Sequence, residues 1–188
     1  MSALVCGGGK SGKSMVAQRA ARAGGAPRCY VATMIPRDAE DAARIARHRR
    51  ERAGWGFQTL ECGRDILTCL DGADPAGSFL IDSVTALLAN EMFPPGGFDP
   101  DAPERVAAAL VAWVRRAPNT VLVSDDIFCD AQRYDAWTEA YRRGLAHIHR
   151  ALAAACDDVL EVVHGIVIVH KGNGFAPTPG HETPAGAP

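Results

Sequence analysis

At 188 residues, the chain has room for one domain with a sizeable core and is too short for two comfortable ones. Its 47% hydrophobic and 22% charged content is that of an ordinary globular protein. A net charge of -2 with no long basic run argues against a nucleic-acid partner or an anionic membrane surface. No apolar run approaches the ~20 residues needed to span a bilayer. The N-terminus lacks the basic and apolar regions of a signal peptide. The six cysteines, Cys6, Cys29, Cys62, Cys69, Cys129 and Cys156, show no CxxC spacing. Free thiols in a reducing compartment are therefore expected, and a cytoplasmic location with them.

The first element expected is a buried strand, Ala3 to Cys6, running into glycines. A helix follows over Lys13 to Arg22 and stops at Gly24-Gly25. Cys29 to Thr33 reads as a second strand, Asp38 to Arg52 as a charged helix, and Phe57 to Leu60 as a short strand. Ser78 to Asp82 is apolar and ends in an acid, as a central parallel strand does, and a helix over Ser83 to Phe93 ends at Pro94-Pro95-Gly96-Gly97. Pro103 to Arg116 is an amphipathic helix, Thr120 to Ser124 a strand, about Tyr134 to Ala155 a long helix, and Asp158 to His170 a pair of strands around Gly165. Strands alternating with helices give an α/β fold with a mostly parallel central sheet, flanking helices and a C-terminal hairpin. One domain over 1–171 is expected. The Gly/Pro-rich 172–188 reads as a flexible tail.

Between the first strand and the first helix lies Gly7-Gly8-Gly9-Lys10-Ser11-Gly12-Lys13-Ser14. It fits the phosphate-loop pattern G-x-x-x-x-G-K-[ST]. Glycines let backbone N–H groups turn inward around a phosphate, and the helix start adds its positive dipole end. Lys13 is expected on the β/γ oxygens and Ser14 on Mg²⁺. An acid must complete the Mg²⁺ shell, and Asp82 at the end of its strand is chosen, with Asp125 as runner-up. An N-cap role for Asp82 is compatible with that.

These residues open an ordered series: Tyr30-Val31-Ala32-Thr33, then Ala42-Ala43-Arg44-Ile45 and His48, then Arg52, Trp55 and Thr59-Leu60-Glu61, then Asp82, Ser83, Thr85 and Asn90. The series resembles the bifunctional adenosylcobinamide kinase/adenosylcobinamide-phosphate guanylyltransferase family of cobalamin biosynthesis. The resemblance covers about 1–171 and is densest over 1–91. It implies a RecA-like P-loop domain in a homotrimer, acting on a corrinoid with ATP and GTP as substrates. It further implies GMP transfer through a GMP-histidine intermediate, with His48 at the matching position. Lys13 and His48 are then the catalytic pair. The nucleotide contacts implied are Ala32, Thr33, Met34, Arg49, Arg50, Glu51, Arg52, Glu61 and Asp82, besides the loop itself. Arg44 and Arg52 stand at i−4 and i+4 from His48, where guanidinium groups can stabilise phosphoryl charge. Without the resemblance, the same segment is a solvated charged helix carrying an incidental histidine, and Glu61 an exposed acid.

The pattern departs in four places. Met34 stands where the family carries Ser, and Ala53 where it carries Pro. Asp125-Asp126-Ile127-Phe128 replaces the usual Asn-Glu-Val-Gly, and His149-Arg150 the usual Asn-Gln. The last two changes lie at the acceptor end. Two alternatives follow from them: a divergent P-loop kinase without GMP transfer, and a non-catalytic nucleotide-binding accessory protein. His147 and His149, at i,i+2, fall on different helix faces and make a poor metal pair. Trp113 and Trp137 read as core or interface residues.

Overall fold

A computed structural model describes residues 1–36, 38–51 and 53–174; the side chains at 40–42, 44, 48 and 51 lie outside that description. The chain runs β1 (Ala3–Gly7), α1 (Lys13–Ala23), β2 (Arg28–Ala32), α2 (Ala39–Glu51), β3 (Phe57–Glu61), α3 (Leu67–Asp71) and β4 (Ser78–Asp82). It continues α4 (Val84–Met92), α5 (Ala102–Arg116), β5 (Thr120–Asp125), α6 (Ala136–Ala155), β6 (Asp158–Val163) and β7 (Ile166–Lys171). Every element expected from the sequence is present. α3 was not expected: its five residues lie too close to a turn for a helical period to show.

The strands form one seven-stranded sheet in the order β3-β2-β4-β5-β1-β6-β7. All neighbours pair in parallel except β6 with β7, which form an antiparallel hairpin. This is the mostly parallel α/β P-loop architecture that the residue pattern leads one to expect. Strand alternation sends Leu4, Ile81 and Leu122 to one face, where they meet α4, α5 and α6. Val5, Leu80 and Val123 point to the other, against Ala17, Ala20 and Ala21 of α1. Coverage of both faces is why the central strands read as unbroken apolar runs. Trp113 is fully buried, set edge-on to Phe79 with ring centroids 5.4 Å apart. Trp137 remains mostly exposed, with one edge against Phe98.

The C-terminal ends of β1, β2, β4 and β5 lie side by side, because Ala32 is in register with Asp82, and Gly7 with Asp125. Parallel sheets place ligand sites at this edge. Beyond β7, the N–H groups of Asn173 and Gly174 both donate to Asp158 Oδ1 at 2.9 Å, and residues 175–188 lie outside the described residues.

The expectation of six free thiols needs correcting at one pair. Cys62 and Cys69 form a disulfide, with Cα atoms 6.3 Å apart, while Cys6, Cys29, Cys129 and Cys156 are free. The turn after β3 carries the chain back through α3, and this brings together two cysteines that sequence spacing alone does not pair. Among the described residues, no helix is long and apolar enough to cross a membrane.

Candidate active site

The loop between β1 and α1 has the geometry its glycines foretell. Gly12 has φ +94° and Lys10 φ 58°, both left-handed. A Cβ on Gly7 would come within 2.5 Å of Val162 O, so only glycine lets the loop pass so close to β6. Nothing lies within 4 Å of the Cβ positions of Gly8 and Gly9, so the loop opens to solvent there. Ser11 O accepts a 2.8 Å bond from Gly165 N, which fastens the loop to the β6–β7 turn. That turn has φ > 0 at both His164 and Gly165, as a tight two-residue hairpin requires.

Lys13 opens α1 and is buried. Its Nζ donates to Gly8 O at 3.0 Å and pairs with Asp125 Oδ1 at 2.7 Å. Of the two acids weighed for the metal, Asp125 therefore touches the lysine. Asp82 accepts instead from Tyr30 Oη at 2.9 Å. Tyr30 carries no sequence signal for this contact, because its ring reads simply as part of an apolar strand. The Asp82–Ser83 peptide is cis, and Thr33 clasps it: Thr33 Oγ1 accepts from Ser83 N and donates to Ser83 O, each at 2.7 Å. Asn90 Nδ2 donates to Thr33 O and Gly63 O at 2.8 and 2.9 Å, tying the ends of β2 and β3 together.

One cavity of about 530 Å³ unites these parts. Lys13, Ser14, Asp82 and Asp125 line it together with Ala32, Met34, Arg49, Arg50 and Glu61. Arg49 Nη2 meets Glu61 Oε1 at 2.5 Å, and both side chains are largely exposed, so this pair adds little stability. Of the other residues singled out in the sequence, His48 and Glu51 belong to α2 and their side chains lie outside the description, as does that of Arg44; Arg52 lies outside the described residues altogether. Thr33 is buried and acts through Ser83 rather than facing the cavity.

Ser14 and Asp82 both line the cavity, and a hydroxyl with a carboxylate is an oxygen donor set suited to Mg²⁺, which keeps waters and phosphate oxygens as its remaining ligands. Among the described residues, no cluster of three or more His, Cys, Asp or Glu forms a closed metal cage. His147 pairs with Glu104 and His149 with Ser124, so the two histidines serve separate contacts. Burial, aided by Asp126, pushes the Cys6 thiol up to about 12, which removes it as a nucleophile beside the loop.

Behind Asp125 lies a polar network that the sequence did not reveal. His149 Nε2 and Ser124 Oγ are 2.7 Å apart, Ser124 Oγ and Thr85 Oγ1 3.3 Å, and Asp125 N donates to Thr85 Oγ1 at 2.9 Å. Burial holds the His149 ring below its ordinary value of 6.5, against the opposing pull of Asp126 and Asp125. A depressed histidine means that the unfolded chain binds the proton more readily. This contribution to stability is present above about pH 6.5 and is lost as the pH falls below it. The urea midpoint should thus drop more between pH 7.5 and 5.5 in the wild type than in His149→Gln; equal drops would show that this histidine is not the titrating group.

Three likenesses bear on this site and a fourth on the fold. The family model for cobinamide kinase / cobinamide phosphate guanyltransferase matches residues 3–169. A bifunctional adenosylcobalamin biosynthesis protein, CobU, of Salmonella typhimurium is 35% identical over 91% of this chain and 100% of its own length. The corresponding CobP of Pseudomonas aeruginosa is 31% identical over 92% of this chain and 98% of its own. Among solved structures, a protein of Pyrococcus horikoshii OT3 aligns with a TM-score of 0.53 over 91% of this chain and 86% of its own, a likeness of fold alone at 12% identity. The phosphate loop, the acids facing it and a match running from β1 into β7 agree: this chain belongs to the cobinamide kinase / cobinamide phosphate guanyltransferase family.

Proposed function

We propose that this chain phosphorylates adenosylcobinamide and then joins GMP to the product, as both halves of its family's activity require. The observation that carries this reading is the single cavity on which Lys13, Ser14 and Asp82 converge with Arg49 and Arg50 of α2. A phosphate loop alone needs no second basic wall. A chain that handles a nucleotide twice, once at its γ- and once at its α-phosphorus, has a use for one.

In the first half, the backbone N–H groups of 8–14 and the start of α1 hold the phosphates of ATP or GTP. Lys13 neutralises charge on the γ-phosphoryl as it passes to the aminopropanol hydroxyl of the corrinoid. Ser14 and Asp82 would hold Mg²⁺, which would supply further charge neutralisation for the transfer. In the second half, the imidazole of His48 attacks the α-phosphorus of GTP, the α–β P–O bond breaks, and pyrophosphate leaves. A phosphate oxygen of adenosylcobinamide phosphate then attacks the same phosphorus, the P–N bond breaks, and His48 is released with adenosylcobinamide-GDP formed. Arg49 and Arg50 stand on α2 to offset charge on the transferring group, a role that the resemblance extends to Arg52. Glu61 receives the guanine edge or ribose once Arg49 releases it. A homotrimer in the cytoplasm completes the reading, with 1–171 as the working domain and the remainder as a tail.

Labelled GTP decides between this and a plain kinase. The α-phosphate label should remain on the protein through an acid-labile, base-stable P–N bond, and His48→Ala should abolish it while GTP still binds. GTP binding without any such label would overturn the transferase half.

A further inference from the structure

Two of the departures from the family pattern, Phe128 and His149, lie 21 residues apart in sequence and come together in space. Phe128 lies edge-on to the His149 ring with centroids 5.6 Å apart, and His149 reaches Ser124, the residue before Asp125. Ser124 is fully buried and His149 largely so, while Asp125 faces the cavity and holds Lys13. We propose that His149 is a positioning residue that, acting through Ser124 and Thr85, fixes Asp125 and with it the lysine of the phosphate loop.

One direction, running from Asp125 N to His149, satisfies all three hydrogen bonds. Asp125 N–H donates to Thr85 Oγ1, so that oxygen's own proton is free to go to Ser124 Oγ. In the Nδ1–H tautomer assigned by this proposal, Ser124 donates to His149 Nε2 across 2.7 Å, on a ring that burial keeps neutral. Bonds aligned in this way polarise one another and lose more than one bond's worth when the final acceptor is removed. Two anchors stop the chain from drifting: Tyr141 Oη donates to Thr85 O at 2.8 Å, and Asp126 N donates to Gly7 O at 2.9 Å. The acid next to the lysine is therefore held from behind by α4 and α6, two elements that contribute no residue to the cavity lining. With His149 in place, Asp125 aims Lys13 before the nucleotide arrives, and less ordering remains to be done on binding.

The inference rests on the proposed kinase reading, and a double-mutant cycle tests it. His149→Leu should lower kcat/KM for the nucleotide about tenfold in the wild-type background and less than about twofold in an Asp125→Asn background. His149→Gln, which returns an acceptor near Nε2, should restore most of the loss, whereas a packing defect would not be repaired by a polar side chain. If His149→Leu does not fold, Ser124→Ala combined with Asp125→Asn reads the same coupling. The cycle is also read on the affinity for a fluorescent GTP analogue, which needs no acceptor. Failure to phosphorylate adenosylcobinamide would then sink the kinase reading without touching this one. Equal losses in both backgrounds, or no rescue by glutamine, would overturn the role given to His149.

Discussion

Lys13→Ala should reduce nucleotide-dependent phosphorylation by about a thousandfold, the scale seen when a preorganised donor to transition-state charge is deleted. The ammonium is buried, held at 3.0 Å by Gly8 O and at 2.7 Å by Asp125, so it meets an incoming triphosphate already aimed. Alanine removes that charge and leaves the Asp125 carboxylate facing the phosphates, where it repels them. Both effects act on turnover. Stability should change little, because Asp125 is 27% exposed and water can solvate it. The rate is measured with adenosylcobinamide and ATP, and circular dichroism checks the fold. A variant within about threefold of wild type would mean that the loop is not catalytic.

Trp113→Ala should be the most damaging single change to the fold, costing about 4 kcal/mol. The ring is fully buried between α5 and the sheet, its edge meets Phe79, and its Nε1 donates to Thr120 Oγ1 at 3.1 Å. Removal leaves a cavity and cuts a bond to a buried hydroxyl that donates onward to Ala117 O. Against a total stability of ~5–15 kcal/mol, such a loss should lower Tm by on the order of 10 °C. Trp113→Phe, which keeps most of the volume, should cost about 1–2 kcal/mol. A small Tm change in Trp113→Ala would mean that this layer can collapse onto the gap.

The fold was open to sequence reading where local chemistry and burial agree. β4 runs from Ser78 to Asp82 as read, its apolar Phe79–Ile81 unbroken because the strand is covered on both faces. The phosphate loop was equally plain, because φ > 0 at Gly12 and the close pass of Gly7 both demand glycine in a fixed spacing. What sequence could not show were contacts between side chains of ordinary type far apart in the chain. Tyr30 on Asp82, Thr33 on Ser83 and His149 on Ser124 use residues that also suit a strand or a helix face. Their partners are fixed only by the strand order, and one sequence does not state that order. The Cys62–Cys69 pairing was missed for the same reason, as it depends on the path through α3.

The place of β1 has a consequence for how the chain assembles. Ala3 pairs with Val121 on one side and Asp158 on the other, so the first strand made has no sheet neighbour until nearly two thirds of the protein has left the ribosome. Pairing of this range is slow, because a long loop must close before the contact returns any free energy. The phosphate loop, though encoded at the start, is framed on its second side only when β6 arrives. A nucleotide therefore cannot template early folding of this protein, and an apolar first strand must wait exposed, a state that chaperones protect.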